Sequence, residues 1–451
     1  MSEKRSSFTG KIGFVLAAAG SAVGLGNIWR FPYLAAKYGG GIFLLVYIIL
    51  AITFGFALMC AEIAIGRKTG LSAIGAFKKL DKRFGFIGIL AAIIPAIILP
   101  YYSVIGGWVT KYLVTFVSGG MKAAANDSYF GNFISKPFEP VGWFLIFMGL
   151  TALIVLLGVE KGIEKVSKVM MPILAFLTLV IAVYGLFMPG AIDGLLYYIT
   201  PNFSKFSATT VLAALGQLFY SMSLAMGIMI TYGSYMKKDV NLESSVRQIE
   251  IFDTGIAFMA GLMVIPAVFS FSGGSQEALG QGPGLMFVTL PKVFESMTGG
   301  AIIGALFFLL VLFAALTSSI SLMETVVSIV RDKLGWNRKI VCAIVFGFCL
   351  AIGIPVSLGN GIWSSFTIIG MALLDFFDFV SNSVLMPIVA LLTCIFVGYI
   401  IKPKAIIEEI EISAPFKAKT LFTIVIKYIA PICIVLILIS SVLSAFGIMK
   451  I

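Results

Sequence analysis

Long runs of apolar residues fill most of this chain, and short polar or basic stretches separate them. Most of these runs reach the roughly 20 residues that an α-helix needs to cross the hydrocarbon core of a bilayer. The pattern therefore predicts an all-α polytopic membrane protein with eleven spanning helices. The predicted spans are about 12–37, 41–66, 87–117, 141–158, 164–188, 208–235, 248–271, 298–331, 339–357, 374–401 and 424–447.

Two of these runs contain residues that a helix facing lipid would not carry. The first holds three glycines between 20 and 26, followed by Asn27 and Arg30. Each glycine weakens a helix by roughly 1 kcal/mol relative to alanine, and a charge at mid-depth costs at least about 3 kcal/mol. A glycine-rich packing face is an alternative, but it does not explain the asparagine and the arginine. The sixth run has a second interruption between 216 and 227. Interruptions at corresponding positions of two halves predict broken helices whose freed backbone groups bind ions and a charged solute.

Composition and charge narrow the class of protein. Apolar residues make up 60% of the chain and charged residues 12%, a balance that soluble domains do not have. The net charge of +11 could suggest a nucleic-acid partner, but Lys and Arg are concentrated in the loops on the side of the N-terminus. This asymmetry predicts a multi-pass protein of the cell inner (plasma) membrane, with a cytoplasmic N-terminus and an external C-terminus. The expected neighbour of the basic loops is the lipid bilayer, and no nucleic acid.

The sequence also argues against catalysis. It contains no histidine, so it lacks the commonest metal ligand and the commonest general base. The HExxH metal motif and the GxSxG nucleophile motif are absent from it too. We therefore expect no enzymatic activity and no organic cofactor.

The first broken span offers oxygen atoms to a cation. Backbone carbonyls freed at the break and an asparagine side chain suit sodium, as they suit other hard cations. The amides of Leu25 and Gly26 begin the second half-helix, where the helix dipole favours a carboxylate. The candidate cation ligands in this span are Gly20, Ala22, Val23 and Asn27.

Other polar side chains lie inside the predicted spans. Thr317 and Ser318 could supply hydroxyl oxygens to a cation, although such hydroxyls commonly bond to their own helix. Carboxylates inside a membrane are functional candidates, and Asp253 is the deepest of them as a cation ligand. The Tyr102 hydroxyl could hold a substrate carboxylate, unless it belongs to an interfacial aromatic belt.

Two pairs of opposite charges lie near the predicted membrane faces. Asp378 could pair with Arg30 near one face, and Asp332 with Arg5 near the other. Such pairs are candidates for a functional site, or they could be static salt bridges with a structural role.

Five segments, in this order, resemble the neurotransmitter:sodium symporter family, in particular its bacterial amino-acid transporters. The resemblance covers essentially the whole chain. The segments are AVGLGNIWRFP at 22–32, AEIAIGR at 61–67, GQLFYSMSL at 216–224, GPGLMF at 282–287 and TSS at 317–319.

The resemblance implies a transporter fold of two five-helix repeats in inverted orientation, with spans 1 and 6 broken. We expect one integrated membrane domain, either monomeric or weakly homo-oligomeric. Its parts would be 1–188 with the first repeat, 189–401 with the second repeat, and 402–451 with a cytoplasmic loop and the eleventh helix.

The resemblance further implies two sodium sites. In the first, the carboxylate of the bound substrate completes the ligands. The protein ligands of the first site would be Ala22, Asn27, Ser221 and Asp253. Those of the second site would be Gly20, Val23, Ala314, Thr317 and Ser318.

By the same resemblance, an amino acid would lie between the two breaks. Its carboxylate would meet Leu25, Gly26 and Tyr102, and its ammonium group would meet carbonyls at Ala22, Tyr220, Ser221 and Ser223. Its side chain would be enclosed by Ile98, Tyr102, Tyr220, Ser223, Met226, Ser318 and Leu322. The outer gate would be Arg30 with Asp378, with Tyr220 as its aromatic lid, and the inner gate would be Arg5 with Asp332 and Tyr235.

The chain departs from the family pattern in ways that bear on its ions. Gly24 lies where amine-transporting relatives carry an aspartate, which leaves room for the substrate's own carboxylate. Asp253 lies where chloride-dependent relatives have an asparagine, and Ala257 lacks the hydroxyl that they place one turn later. A fixed carboxylate would supply the negative charge that chloride provides elsewhere. We therefore expect transport that does not depend on chloride.

The start of the fifth span also resembles the family. Gly162 and Pro172 both weaken a helix. Local unwinding there would let water reach the second sodium site from inside, although an ordinary helix start with a proline kink is the alternative.

The sequence thus predicts a sodium-coupled secondary transporter that imports a neutral hydrophobic or aromatic L-amino acid by alternating access. A proton-coupled amino-acid transporter of the same fold is the first alternative, with Asp253 or Glu62 carrying the proton. A sensor that binds an amino acid without moving it is the second. No filter motif of a channel is apparent.

Overall fold

A computed structural model gives the structure of the protein and describes residues 7–272 and 283–445. Within these ranges all the regular elements are helical, and β-pairing is limited to two isolated bridges. In chain order the main helices are α1 (Lys11–Ala22), α2 (Gly26–Lys37), α3 (Gly41–Thr69), α4 (Lys82–Val117), α5 (Glu139–Leu156), α6 (Val159–Leu186), α7 (Ala208–Ser221), α8 (Ile228–Gly233), α9 (Leu242–Ser272), α10 (Gly300–Leu334), α11 (Arg338–Leu358), α12 (Leu373–Ile400), α13 (Lys402–Ile410) and α14 (Lys419–Ser444).

Most of these helices could cross a membrane. In the described ranges, nine single helices are long and apolar enough, and the pair α1 and α2, bent by 56° at its break, makes a tenth span. The two halves of the predicted sixth span, α7 and α8, are shorter and are not among these ten. The number of eleven spans, the inverted repeat and the three parts of the chain therefore remain predictions.

The lipid-facing side of the bundle follows from which apolar side chains stay exposed. Large apolar residues on several long helices are about half exposed or more, which suits a surface covered by acyl chains. They include Ile49, Leu153, Phe176, Ile251, Ile344 and Ile432.

The first helix breaks because the backbone of Val23 is extended, with ψ of 107°. The Gly24 N–H, which would continue the helix by bonding to Gly20, donates instead to the Asn27 side-chain oxygen at 3.0 Å. The carbonyls at the end of α1 are therefore released for other partners.

The sixth span breaks where three residues adopt left-handed backbone. Ser223, Ala225 and Gly227 have φ of 52°, 63° and 73°, which costs energy for the two that carry a Cβ. The buried Glu62 carboxylate supports this turn by accepting a hydrogen bond from the Ala225 N–H at 2.7 Å. Both interruptions predicted from the sequence are thus present, and both lie in the interior of the bundle.

Glycines bring two helices into backbone contact beside the second break. A Cβ on Gly66 of α3 would lie 1.9 Å from the Ile230 carbonyl oxygen, and one on Gly233 of α8 would lie 2.3 Å from the Ile63 oxygen. The two helices can approach this closely only because both positions lack a side chain.

Short helices connect the spans, among them Ala73–Leu80, Asp127–Ile134 and Ala191–Ile199. The connection between the seventh and eighth predicted spans, 272–297, is helical over Leu285–Thr289 and Leu290–Ser296. Its first part, 273–282, lies outside the described residues. At the start of the fifth span, Gly162 and Pro172 are both inside α6, so the segment predicted to unwind is wound here.

Candidate substrate and cation site

A small cavity of about 40 Å³ lies between the two helix breaks. One end of it is formed by the backbone of the first break, and the rest mainly by apolar and hydroxyl side chains of α4, α7, α8 and α10. Its lining consists of Ser21, Ala22, Gly24, Leu25, Gly26, Asn27, Ile98, Tyr102, Tyr220, Ser221, Ser223, Met226, Ile228, Ser318 and Leu322. All the substrate-binding residues predicted from the sequence are in this set.

Asp253 of α9 is the centre of a polar cluster beside this cavity. Its carboxylate is fully buried and accepts hydrogen bonds from the Asn27 amide nitrogen at 2.7 Å and the Ser221 hydroxyl at 2.9 Å. The Tyr47 hydroxyl is 3.4 Å from its other oxygen. Among the described residues, no Lys or Arg side chain lies within 4.0 Å of it. A buried carboxylate with only neutral partners favours a cation nearby.

The released carbonyls of the first break meet hydroxyl groups from the opposite side. The Ser21 carbonyl accepts hydrogen bonds from Ser223 at 2.9 Å and Ser318 at 3.2 Å, and the Val23 carbonyl accepts one from Ser318 at 3.3 Å. The break in α1 is thus joined to both the sixth span and α10.

The residues predicted for the second cation site lie at this junction. A Cβ on Gly20 would be 3.2 Å from the Thr317 Cβ, so the end of α1 packs directly against α10 there. The Thr317 hydroxyl donates to the carbonyls of Phe313 and Ala314 at 3.0 and 3.2 Å. The structure therefore brings the predicted ligands of this site, which are distant in sequence, into one region of oxygen atoms.

The start of α2 belongs to the same polar end of the cavity, at the first break. The Leu25 N–H points to the Tyr102 hydroxyl at 3.4 Å, a long bond that a better acceptor could replace. A Cβ on Gly24 would lie 2.8 Å from the Ser318 hydroxyl oxygen and 3.1 Å from that of Tyr102. A larger side chain at position 24 would therefore fill the space between these two hydroxyls.

A larger vestibule of about 620 Å³ opens on the side of the bundle opposite the N-terminus. Tyr220 lines both the vestibule and the central cavity, and so separates them. The Arg30 guanidinium lies over the Tyr220 ring, 5.3 Å from its centroid. Asp375 and Asp378 line the same vestibule.

The predicted outer pair of Arg30 and Asp378 does not form an ion pair within 4.0 Å in the described part of the chain. Asp378 instead accepts hydrogen bonds from the Asn382 amide at 2.6 Å and the Tyr101 hydroxyl at 3.2 Å. Both donors are neutral, and both bind the same oxygen of the Asp378 carboxylate.

The side of the N-terminus is closed by side-chain packing. Phe8 is buried against the rings of Tyr232 and Tyr235. Tyr235, predicted for the inner gate, donates to the buried Glu324 carboxylate at 2.8 Å. Glu324 in turn forms a salt bridge with Arg338 of α11.

The other members of the predicted inner gate are only partly described. Asp332 accepts hydrogen bonds from the backbone and hydroxyl of Ser72 at 2.8 and 2.6 Å. Arg5 lies outside the described residues, so its pairing with Asp332 remains a prediction.

Sequence reasoning missed several residues that take part in these contacts. Ser21 and Ile228 line the cavity, and Asn382 binds Asp378. A signal for Asn382 existed, because it lies four residues after Asp378 and hence on the same helix face. The sequence gave no such signal for Ser21, because it does not show which carbonyl of the break accepts the hydrogen bonds from Ser223 and Ser318.

Comparisons with known proteins place these features in a family. The model of the sodium:neurotransmitter symporter family matches residues 5–129 and 134–448. A transporter from Bacillus subtilis, YhdH, described as an uncharacterized sodium-dependent transporter, is 36% identical over 98% of this chain and 99% of its own. The crystal structure of MhsT in complex with L-phenylalanine shares 37% identity and superposes with a TM-score of 0.88, covering 97% of this chain and 100% of that chain.

More distant relatives come from animals. The sodium- and chloride-dependent taurine transporter of Rattus norvegicus is 28% identical over 80% of this chain and 67% of its own length. The family model and the relatives are all described as sodium-dependent transporters or symporters. The chain belongs to the sodium:neurotransmitter symporter family and is a multi-pass, sodium-dependent membrane transporter, not an enzyme.

Proposed function

We propose that this transporter imports a neutral hydrophobic or aromatic L-amino acid together with sodium, by alternating access and without chloride. The observation that carries the proposal is the cavity between the two breaks, which has backbone polar groups at the first break and mainly apolar and hydroxyl side chains elsewhere. An amino acid has the same division between a charged end and a side chain.

The polar end suits a zwitterion. The N–H groups of Leu25 and Gly26 begin α2, and helix N-termini bind carboxylates. The Tyr102 hydroxyl is within reach of the same point. Carbonyls near the end of α1 and at the break after α7 offer acceptors to an ammonium group.

The side-chain end suits an apolar residue. Ile98, Met226, Ile228 and Leu322 supply hydrocarbon, and Tyr220 covers the cavity. Methionine adapts its shape easily, which supports a range of substrates. That MhsT has been solved with L-phenylalanine supports an aromatic amino acid among them.

Two sodium sites are part of the proposal. In the first, sodium lies between Asp253, Asn27 and Ser221, with the Ala22 carbonyl and the substrate carboxylate as further ligands. Asn27 would turn its amide so that the oxygen, now bonded to the Gly24 N–H, faces the ion. In the second site the ligands are Gly20, Val23, Ala314, Thr317 and Ser318.

Chloride independence follows from Asp253. Its fixed negative charge lies within hydrogen-bond reach of Ser221 and Tyr47, so the site already holds the anion that sodium needs as a counter-charge. A second anion in the same place would be repelled.

Alternating access is supported by the asymmetry between the two sides. The vestibule leads to Tyr220, whereas Phe8 and Tyr235 close the side of the N-terminus. On this proposal the vestibule is external, the N-terminus cytoplasmic, and closure brings Arg30 to Asp378.

The first experiment is substrate binding to the purified protein, scanning the twenty amino acids in sodium chloride, sodium gluconate and choline chloride. We expect an apolar amino acid to bind in both sodium salts and not in choline. Binding in all three salts would contradict sodium coupling and favour the proton-driven alternative. Binding only in sodium chloride would contradict chloride independence.

Counterflow in proteoliposomes separates a transporter from a sensor. Vesicles loaded with the unlabelled amino acid should take up the labelled one from outside faster than unloaded vesicles do. Binding without counterflow would mean that the protein senses its ligand instead of moving it.

A further inference from the structure

The inner end of α3, on the side of the N-terminus, is joined to α13 by a buried salt bridge. Arg67, near the end of α3, donates from Nε to the Glu409 carboxylate at 2.9 Å, and a second guanidinium nitrogen donates to the Glu409 carbonyl. The Arg67 side chain is fully buried, and that of Glu409 is 3% exposed. One arginine therefore binds both the side chain and the backbone of the same residue, which fixes the direction of α13 as well as its distance from α3.

The same carboxylate also binds the segment between α8 and α9. Lys238 pairs at 2.6 Å with the Glu409 oxygen that Arg67 binds. The third guanidinium nitrogen of Arg67 donates to the Val240 carbonyl at 2.9 Å. Glu409 thus lies where three parts of the chain meet, and it attaches α13 both to α3 and to the segment that leads into α9.

α12 and α13 meet at a residue with unfavourable backbone geometry. α12 ends in the π-helical turn Phe396–Ile400, and α13 begins at Lys402, whose φ of 65° lies in the left-handed region. This conformation is unfavourable for a residue with a Cβ and persists only where the surrounding structure imposes it. The attachment of α13 at Glu409 supplies such a constraint, so the inner end of α12 cannot move independently of α3.

The outer part of α12 carries the acids of the vestibule. Asp375 and Asp378 line the vestibule, and a second π-helical turn, Phe379–Leu385, follows them directly. Helices commonly bend at such turns. Because its inner end is fixed, α12 can bring these acids toward α2 only by tilting about that end or by bending at the second turn.

We propose that Glu409 is a positioning residue that couples ion binding at α9 to closure of the vestibule by α12. The inference rests on the proposed function, in which Asp253 of α9 binds sodium and closure brings Arg30 to Asp378. When the bound cation shifts α9, the attachment at Glu409 moves the inner end of α12 with it, and the outer end turns toward α2. Without this attachment α12 would keep its position, and the vestibule would stay open above a bound substrate.

The test measures closure and substrate binding on the same purified protein. Ser383→Cys places a single reactive cysteine in the vestibule on α12, and Cys433→Ala removes the native cysteine that is not buried. In sodium, saturating L-phenylalanine (or the tightest binder in the amino-acid scan) should slow maleimide labelling at least about fivefold, the lower end of typical coupling between sites. With Glu409→Gln added, labelling should be nearly as fast with the substrate bound as without it.

Glu408→Gln is the matched control. Glu408 is the neighbour of Glu409 on α13, but its side chain is 58% exposed and its pairing with Lys404 spans 3.9 Å. The variant removes the same charge from the same helix, so the substrate should slow labelling as it does in the parent protein. If Glu408→Gln also abolished the slowing, net charge and not the buried attachment would be responsible, and the inference would be wrong.

Lys238→Met provides a second route if Glu409→Gln does not fold, since that variant leaves the buried Arg67 without its charged partner. The Lys238 side chain is 51% exposed, and its removal leaves Glu409 paired with Arg67. The slowing by substrate should decrease about twofold, because a half-exposed ion pair contributes little. Lys238→Arg keeps the charge and should keep the slowing. Undiminished slowing in Lys238→Met would contradict the inference.

A structural role alone would give a different pattern. If Glu409→Gln lowers the melting temperature while saturating substrate still slows labelling as in the parent protein, Glu409 does not couple binding to closure. Failure of the proposed function appears in the parent protein itself. That protein would then bind no amino acid in sodium, or would bind one without any slowing of labelling.

Discussion

Asp253 has the central position in the proposed first sodium site. Asn27, Ser221 and Tyr47, from three different spans, all reach its carboxylate. Each of these partners is neutral, so the charge is balanced only when a cation binds. In the proposed site, the attraction for a cation would therefore come mainly from the Asp253 carboxylate.

Removing the charge from Asp253 without changing its shape should make sodium-dependent substrate binding depend on chloride as well. We expect Asp253→Asn to weaken sodium-dependent substrate binding at least about 100-fold in gluconate, which corresponds to about 3 kcal/mol for loss of one member of a buried charge pair. Chloride should restore part of the affinity by replacing the missing anion. The measurement is a sodium titration of substrate binding in both salts.

Asp375→Asn is the control for this prediction, because Asp375 lines the vestibule and not the central cavity. Unchanged sodium affinity in Asp253→Asn would remove the residue from the first sodium site.

The Tyr102 hydroxyl should contribute directly to substrate affinity. We expect Tyr102→Phe to weaken binding by about 1.5–3 kcal/mol, the range for a hydrogen bond to a charged group. Isothermal titration in saturating sodium measures the effect. Tyr129→Phe serves as the control, since the Tyr129 hydroxyl contacts Thr115 outside the site. An affinity equal to that of the wild type would exclude Tyr102 from the carboxylate contact.

At the scale of helices, the two breaks were the features that the sequence predicted best. Glycine, asparagine and arginine are so unfavourable in a lipid-facing helix that Gly24, Asn27 and Arg30 could hardly be explained otherwise. The left-handed backbone of Ser223 and Ala225 was not predictable, because neither residue type signals it. It depends on Glu62, which lies on another helix.

The contact between α3 and α8 gives a prediction about stability. Gly66→Ala would place a methyl group 1.9 Å from the Ile230 carbonyl oxygen, so the two helices must separate. We expect a loss of about 1–3 kcal/mol, as for other overpacked contacts, and a clearly lower melting temperature of the purified protein.

Gly255→Ala in α9 is its control. A Cβ there has no neighbour within 4 Å, so alanine should be neutral or stabilise the helix by up to about 1 kcal/mol. Equal melting temperatures for the two variants would show that α3 and α8 separate easily.

The arrangement of the outer charged residues marks the limit of what the sequence could predict. Opposite charges at Arg30 and Asp378 indicated a pair, but Asn382 and Tyr101 compete for the carboxylate. Which partner prevails depends on the position of α12 relative to α2. The relative position of these two helices is a property of the folded bundle, and no local sequence pattern indicates it.

At the scale of the whole molecule, the vestibule and the closed side define an orientation that can be tested. The test uses single cysteines in a background with Cys433→Ala, since the other four native cysteines are buried. A membrane-impermeant maleimide should label Ser383→Cys, in the vestibule, from outside intact cells. Sodium with substrate should slow this labelling, because closure over Tyr220 narrows the vestibule.

Ser413→Cys, in the loop between α13 and α14, tests the opposite face. It should be labelled only after the cells are made permeable. Labelling of Ser413→Cys in intact cells would reverse the proposed orientation.

The buried carboxylate of Asp253 also has an electrical consequence in the proposed transport cycle. With two sodium ions and one zwitterion bound, as proposed, the loaded site bears one net positive charge; unloaded, it bears one negative charge. A membrane potential that is negative inside drives the loaded, positively charged site inward and the unloaded, negatively charged site outward. It therefore assists both halves of the transport cycle. Each elementary charge that crosses the whole potential gains about 2.3 kcal/mol per 100 mV. Import of a neutral amino acid should therefore produce an inward current of two charges per molecule, in chloride or without it.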